Sequence, residues 1–436
     1  MPEFLHLQTP DEARSLLLRS LPNPQPAAET IDTAQALGRV TALSVEAPHP
    51  LPMFNRSAMD GYAVCAADTF GASESLPAYL KVLGEVSMGV QPGFDIKPGE
   101  VALIHTGGML PASADAVVML EYTQRVDKPY EGSETCARMA EIEISRAVAE
   151  GENVLCIGED VRQGQVVIPA GRLIRPAEIG GLMALGVTQV SVVKRPRVGL
   201  ISSGDEVVRP EQTPRPGQVR DINSYTLSAL VIKSGGDPLL YGIVPDDLKT
   251  MKQVAQRALS ECDLVIITAG SSASARDMTA DAIRSLGKPG VLVHGVNIRP
   301  GKPTILAVCD GKAVIGLPGN PVSALVIAGL FVVPVIEKLL GLPLDHPRPS
   351  LLAKLTINVP SQAGREDWVV VRLLPPSLSP REREGGSRGV GDVPLAEPIF
   401  SKSNLIFSLV AAEGLMRIPP EANGVSAGEM VEVRLM

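Results

Sequence analysis

Five short polar segments of this 436-residue chain could carry chemistry. Ser202-Ser203-Gly204-Asp205-Glu206 sets two carboxylates directly behind an apolar run. Ala269 to Asp277 (AGSSASARD) is a Gly/Ser loop at a helix start, whose backbone N–H groups could cradle a phosphate. Leu317-Pro318-Gly319-Asn320-Pro321 follows a third apolar run, and Arg299-Pro300-Gly301-Lys302-Pro303 brings two cations near it. Asp246-Asp247 ends the stretch GIVPDD. Anion-binding loops, cations and acids together suit a phosphate-bearing ligand handled through Mg²⁺, a hard cation that prefers oxygen ligands. Each segment also has a plainer reading. A Gly/Ser loop can be a simple turn, Asp246-Asp247 can serve a helix N-terminus, and RPGKP can be a surface turn. His105 has no partner legible in the sequence and reads as a strand histidine.

The elements that must position these segments follow from pattern. Arg197–Ser202, Leu264–Thr268 and Ala313–Leu317 are apolar runs without alternation, each leading into a loop and a helix-like stretch. Buried parallel strands look like this, which predicts a doubly wound α/β domain over 192–344. In an open α/β sheet, ligands bind at the carboxyl ends of the strands, where these loops lie. Its last helix starts with Asn320 as N-cap and Pro321 at the first helical position. Residues 49–147 read as a β-rich module of hairpins, and 345–436 as a small C-terminal β-barrel or sandwich. Segments 1–48 and 148–191 remain as one discontinuous unit; 5–20 reads as a helix starting near Thr9–Pro10, and 165–193 as strand, turn, helix, strand. Residues 375–394, rich in Pro, Gly, Ser and charge, are predicted to form a mobile loop. We expect the module and the first 48 residues to be too poor in apolar residues to close a core alone.

Composition excludes several classes. Forty-eight acidic against 40 basic residues leave −8, without the basic footprint of a nucleic-acid binder. Five scattered cysteines (Cys65, Cys136, Cys156, Cys262, Cys309) include no CxxC pair, so neither a zinc site nor a disulfide framework is legible. The first residues lack the pattern of a signal peptide. Val322–Ile336 is too short for a span of roughly 20 residues and reads as a buried core helix. A cytoplasmic protein without membrane or nucleic-acid partners is expected.

The motifs then become recognisable. PMFNRSAMDGYA (52–63), HTGGMLPASADAVV (105–118), GEDVRQG (158–164), RPRVGLISSGDEVV (195–208), GQVRDINSYTL (217–227), RPGKP (299–303), GLPGNPVSA (316–324) and the closing SAGEMVEVRLM resemble, in order, the molybdopterin molybdotransferase family of the MoeA type, which includes the gephyrin E domain. The resemblance implies a four-domain fold with a molybdopterin-binding α/β domain, an elongated linker domain and a homodimer whose active sites lie between subunits. It implies Mg²⁺-dependent cleavage of adenylylated molybdopterin, with AMP released and molybdate inserted into the dithiolene. A molybdopterin adenylyltransferase would be the pathway partner. It assigns catalytic roles to Asp60, Asp160, Glu206, Asp246 and Asp277, with Glu206 and Asp277 as metal ligands. Substrate contacts fall to Thr106, Gly204, Gly270, Ser272, Arg299, Lys302, Pro318, Gly319 and Ser323. Three positions depart from the family: Leu155 and Gly295 replace an arginine and a lysine, and Ser274 replaces a glycine. Arg299 also stands for a lysine. These departures leave tungstate open beside molybdate. Adenylyl transfer to molybdopterin and a non-catalytic dimeric scaffold are the rival readings.

Overall fold

The computed structural model describes residues 7–127, 140–269, 273–344, 348–375 and 393–436, with the backbone alone described at 127, 269 and 273–277. The predicted loop 375–394 lies almost wholly outside the described residues.

Helix α1 (Pro10–Ser20) starts where its capping sequence dictates. The Thr9 hydroxyl accepts from the Glu12 N–H, and the Glu12 carboxylate accepts the Thr9 N–H at 3.0 Å. Its apolar face does not stay with its sequence neighbours. Ala13 and Leu17 enter the same core as Val198, Leu200 and Phe331, and Lys338 Nζ donates to the Leu18 carbonyl at 2.7 Å. The helix assigned to the 1–48 unit therefore packs on the α/β unit. The rest of the discontinuous unit pairs strand Ala28–Asp32 with Gln189–Val193, and Val45–Glu46 with Val166–Ile168. Helix α2 (Pro176–Ala184) closes its core through Leu182 against Ile174 and Val190.

The β-rich module is one six-stranded sheet, ordered Ala116–Met119, Gly61–Val64, Glu100–Ile104, Ala78–Glu85, Ala140–Ile144, Thr123–Asp127. Both faces carry apolar residues, Tyr62, Val64, Val101 and Ile142 on one and Ala63, Val86, Ala102 and Ile104 on the other. The expectation that this module cannot close a core alone is thus overturned: alternation along each strand builds two modest cores from small residues. Gly61 is required by close approach, since a Cβ there would lie 2.0 Å from the Val118 carbonyl oxygen.

The α/β unit has the sheet order Asp237–Val244, Arg197–Ser203, Leu264–Ala269, Lys312–Pro318, Ile305–Cys309, Pro289–His294. Its first four strands are parallel; three of them are the apolar runs that predict this, and Asp237–Val244 joins them at the edge. The last two form antiparallel pairings, absent from the sequence reading. A two-residue Asp310-Gly311 loop, with φ of 49° and 83°, joins Cys309 to Lys312 and makes that hairpin. Along Leu264–Ile267 the side chains alternate between two cores. Leu264 and Ile266 face α3 (Asn223–Lys233) and the long helix from Pro321; Val265 and Ile267 face α4 (Leu248–Glu261) and α5 (Ala273–Arg284). The helix Pro321–Leu339 passes Pro334 after a widened turn at Ala328–Val332 and is 78% buried over its most apolar window, as a core helix should be. It is the one helix among the described residues long and apolar enough to cross a membrane.

The C-terminal unit is a closed five-stranded barrel: Glu366–Leu374, Leu395–Pro398, Ser350–Leu355, Met430–Leu435, Gly414–Ile418 and back to Glu366–Leu374. It is stitched to the α/β unit by Ile298–Arg299, which pairs in parallel with Glu366–Asp367, and by Trp368 and Val370 in the shared core. Arg348 forks onto the buried Glu337 with two contacts of 2.7 and 2.6 Å at the junction.

Candidate active site

Where the central parallel strands end, a cleft of about 360 Å³ opens between the α/β unit and the barrel. Ser202, Ser203, Thr268, Glu206, Gly319 and Asn404 are among its walls. Strand geometry supplies a row of hydroxyls: Ser203 Oγ donates to the Thr268 carbonyl at 3.1 Å, and Thr268 Oγ1 to the Ile201 carbonyl at 3.4 Å. Asn223 Nδ2 donates to the Gly319 carbonyl at 2.8 Å and so fixes the PGN turn. Asp221 accepts the Ser224 N–H and hydroxyl, at 3.1 and 2.6 Å, and holds the first turn of α3. From the barrel, the Ser403 carbonyl accepts the Val322 N–H at 3.1 Å and Ser403 Oγ meets Asn320 Nδ2 at 3.0 Å. The sequence reading missed Asn223, Ser403 and Asn404. The motif NSYTL could have flagged the first; no local pattern marks the other two.

The acids gather at one edge. Gly204 holds φ of 137°, and a Cβ there would lie 2.6 Å from Glu206 Oε2, so the turn that presents Glu206 needs glycine. The Asp246 N–H donates to Asp205 Oδ1 at 3.1 Å. Burial first, then the charges of Asp205 and Glu206, push the Asp246 carboxyl above its ordinary value. Asp247 has the plainer role: its carboxylate caps α4 by accepting the Thr250 N–H at 2.8 Å. Among the described residues no three His, Cys, Asp or Glu side chains are arranged to hold a metal ion. Gly270, Ser272 and the side chain of Asp277 lie outside the described residues. Pro318 ends its strand, and Ser323 is buried in the first turn of the following helix.

A second group of predicted residues sits in the β-rich module. Asp60 Oδ1 accepts the Thr106 N–H at 2.7 Å and the Thr106 hydroxyl at 3.0 Å. Those two bonds, and after them the His105 ring, hold the Asp60 carboxyl below its usual range. Gly107 N–H donates to the Ser57 carbonyl at 2.8 Å, so the AMDG and HTGG turns are knitted together. Contrary to the sequence expectation, His105 has partners: its Nε2 lies 3.0 Å from Glu85 Oε1 and its Nδ1 3.9 Å from Asp60 Oδ1. Asp160 is exposed on a loop whose backbone N–H donates to Leu51 at 3.0 Å, beside the same motif. Leu155, where the resemblance leads to the expectation of arginine, stands directly opposite the exposed Arg56 in an antiparallel pair, which puts a cation on that face. Exposed Met53, Phe54, Met59 and Ile157 surround it in sequence.

Arg299 and Lys302 belong to neither group. Both are exposed on the turn next to the barrel, with Arg299 Nη1 4.0 Å from the buried Asp367 Oδ2. Gly301 abuts Ile327, where a Cβ would fall 2.3 Å from the side chain. Among the described residues no hydrogen bond or ion pair joins the Asp60 group to the α/β cleft.

A doubly wound unit with an acid-edged cleft at its strand ends, a motif-bearing β module and a closed barrel define a multidomain ligand-binding α/β protein. Three family models match it in series. The MoeA N-terminal region (domain I and II) matches residues 8–186, the probable molybdopterin binding domain 199–338, and the MoeA C-terminal region (domain IV) 353–436. A molybdopterin biosynthesis protein of Methanocaldococcus jannaschii is 36% identical over 417 residues, covering 93% of this chain and 92% of the relative. A molybdopterin molybdenumtransferase of Nostoc sp. is 33% identical over 402 residues, covering 90% and 89%. The crystal structure of a molybdopterin biosynthesis moeA protein from Pyrococcus horikoshii OT3 superposes with a TM-score of 0.80 at 31% identity, over 99% of this chain and all of that one. The chain belongs to the MoeA family.

Proposed function

We propose that the chain is a molybdopterin molybdenumtransferase, a transferase of molybdenum cofactor biosynthesis, and that it takes adenylylated molybdopterin, releases AMP and inserts molybdate. Family membership over nearly the whole chain supports the class. The observation that carries the chemistry is the cleft at the strand ends, edged by Glu206 and floored by Ser202, Ser203 and Gly319. Serine hydroxyls and the PGN turn would hold the phosphate-bearing arm. The fixed Asn223–Gly319 contact keeps that turn from yielding when the ligand enters. Asp60, held on one oxygen by Thr106, would orient the reacting end from the β module.

Mg²⁺ belongs to the reading because Asp205, Glu206 and Asp246 crowd one edge, with the Asp246 carboxyl raised first by burial and then by the charges of its neighbours. An oxygen-preferring cation relieves that crowding. Glu206 would hold it, with Asp277 as the expected second ligand. Bound there, Mg²⁺ would offset charge developing on a cleaved pyrophosphate.

The Asp60 group and the cleft sit in different units, so a homodimer in which one protomer's β module closes its partner's cleft is part of the proposal. The exposed Met53, Phe54 and Ile157, gathered where Asn55 accepts the Ile157 N–H, favour such a contact. The reading takes the chain to be cytoplasmic and fed by a molybdopterin adenylyltransferase.

The test is AMP release from adenylylated molybdopterin with Mg²⁺, run with molybdate and tungstate in parallel. Molybdate-stimulated release is expected, and Asp277→Asn should cut it at least about 100-fold. No release with either oxyanion would refute the transferase reading. Stimulation by tungstate alone would establish the tungstate variant, which the departures at Leu155 and Gly295 leave open.

A further inference from the structure

The cleft at the strand ends has charged walls of one sign, with a single exception. Glu206 and Asp221 supply the negative charge, and among the described residues that line the cleft Arg220 is the one cation. Arg299 and Lys302, the cations expected from the sequence, are not in that lining. Arg220 ends the short strand Val219–Arg220, which pairs in parallel with Val207–Val208, directly behind Glu206. The Val219 N–H donates to the Glu206 carbonyl and the Asp221 N–H to the Val208 carbonyl, both at 2.8 Å. The cation and the expected metal ligand therefore stand on one hydrogen-bonded ribbon.

The guanidinium is held at one nitrogen. Its Nε donates to the Pro210 carbonyl at 2.9 Å, and among the described residues no carboxylate pairs with it. A guanidinium has five N–H donors and stays charged at any working pH. With Nε committed, the two terminal nitrogens keep four donors in one plane, the geometry that takes two phosphate oxygens side by side. Asp221 does not compete for them, because its carboxylate already accepts the Ser224 N–H and hydroxyl. A second observation in the same wall points to a ligand. Asn223, three residues on, is 9% exposed; its Nδ2 is spent on the Gly319 carbonyl, which decides which way the amide faces. Its Oδ1 is buried and has no hydrogen-bond partner. A buried acceptor left open is costly until something donates to it. The 220–223 segment thus offers an anion grip and an unfilled acceptor.

We propose that Arg220 is a substrate-binding residue of this cleft: its terminal nitrogens grip a phosphate of the incoming ligand, and the same ligand carries an N–H or O–H that Asn223 Oδ1 accepts. The proposal rests on the reading that the cleft takes a phosphate-bearing substrate. Arg220 supplies the positive charge that the serine hydroxyls and the PGN turn lack.

The experiment is isothermal titration calorimetry on the full chain with Mg²⁺, at low and at physiological salt. The probes are AMP, the product of the proposed reaction, and adenosine, which lacks the phosphate. Wild type should bind AMP more tightly at the lower salt. Arg220→Gln should raise the Kd for AMP about tenfold or more, the loss expected when charge-assisted bonds are removed. It should also flatten the salt dependence and leave adenosine binding unchanged. Arg220→Lys keeps the charge without the fork and should recover part of the loss. Thermal midpoints should match, since Arg220 is exposed, so weaker binding reports the contact and not the fold. In AMP release, KM for adenylylated molybdopterin should rise in Arg220→Gln by more than kcat falls. An unchanged Kd for AMP in Arg220→Gln, or equal weakening of AMP and adenosine, would overturn the role of Arg220 alone. A wild type that binds no AMP would instead remove the reading of the cleft, and this inference with it.

Discussion

Replacing Glu206 with glutamine should make the free protein more stable and the enzyme nearly inactive, and the two effects have one cause. Glu206 shares its edge with Asp205 and Asp246, and the Asp246 carboxyl is raised by burial and by those two charges. These groups are mostly open to water, so a water-like dielectric applies; a pair of carboxylates about 6 Å apart then repels by about 0.7 kcal/mol. Removing the Glu206 charge relieves its repulsion of Asp246, about 0.7 kcal/mol, which for an α/β unit of roughly 150 residues raises the midpoint by about 1–3 °C. The pH dependence has a definite sign. A carboxyl whose folded value is raised contributes stability that is complete below the unfolded value and lost as pH rises through the folded one. The penalty is therefore full at pH 7, and the gain in Glu206→Gln should shrink toward pH 4. Mg²⁺ should raise the midpoint of wild type and do little for the variant. AMP release by Glu206→Gln should fall at least about 100-fold if the carboxylate holds the ion. Differential scanning fluorimetry from pH 4 to 8, with and without Mg²⁺, reads the first part, and single-turnover AMP release the second. A lower midpoint at pH 7, or turnover above a tenth of wild type, would refute the reasoning.

Gly61→Ala should cost about 3 kcal/mol or more, because its Cβ would stand 2.0 Å from the Val118 carbonyl oxygen; a midpoint within 1 °C of wild type would contradict this. Arg348→Met should destabilise by about 2 kcal/mol by removing two charge-assisted contacts to the buried Glu337, and Glu337→Met in the same chain should recover most of it; equal losses in the single and double variants would count against an ion-pair origin. Thr106→Val removes a hydroxyl donor to Asp60 and should raise the pH below which AMP release is lost, since the Thr106 contacts hold that carboxyl down; an unchanged acid limb of the kcat/KM profile would remove Asp60 from the essential ionisations. Light scattering at micromolar concentration should give about twice 45.9 kDa, and a monomeric mass would end the shared-cleft proposal.

The sequence by itself determined the parallel strands, the doubly wound unit they form and the helix starts, because these rest on local signals. Unalternating apolar runs bury on both faces. Thr9 with Glu12 builds its own cap. The motifs also named the family without any coordinate. The Asp310-Gly311 hairpin was legible too, since a two-residue Asp-Gly loop is a strong local turn signal, but the reading passed over it. Other features were decided only by contacts across long separations. Helix α1 has an ordinary amphipathic pattern, and no residue in it says that Ala13 and Leu17 will meet Val198 and Phe331. Glu85, His105 and Asp60 come together because the strands carrying their loops are neighbours in one sheet, and strand order is not encoded in the alternation of any one strand. Ser403 reaches the cleft because the barrel closes on itself and turns one loop toward Asn320. Which side chains meet at a site depends on how separate units pack, and that packing is a sum over many weak contacts that no local segment records.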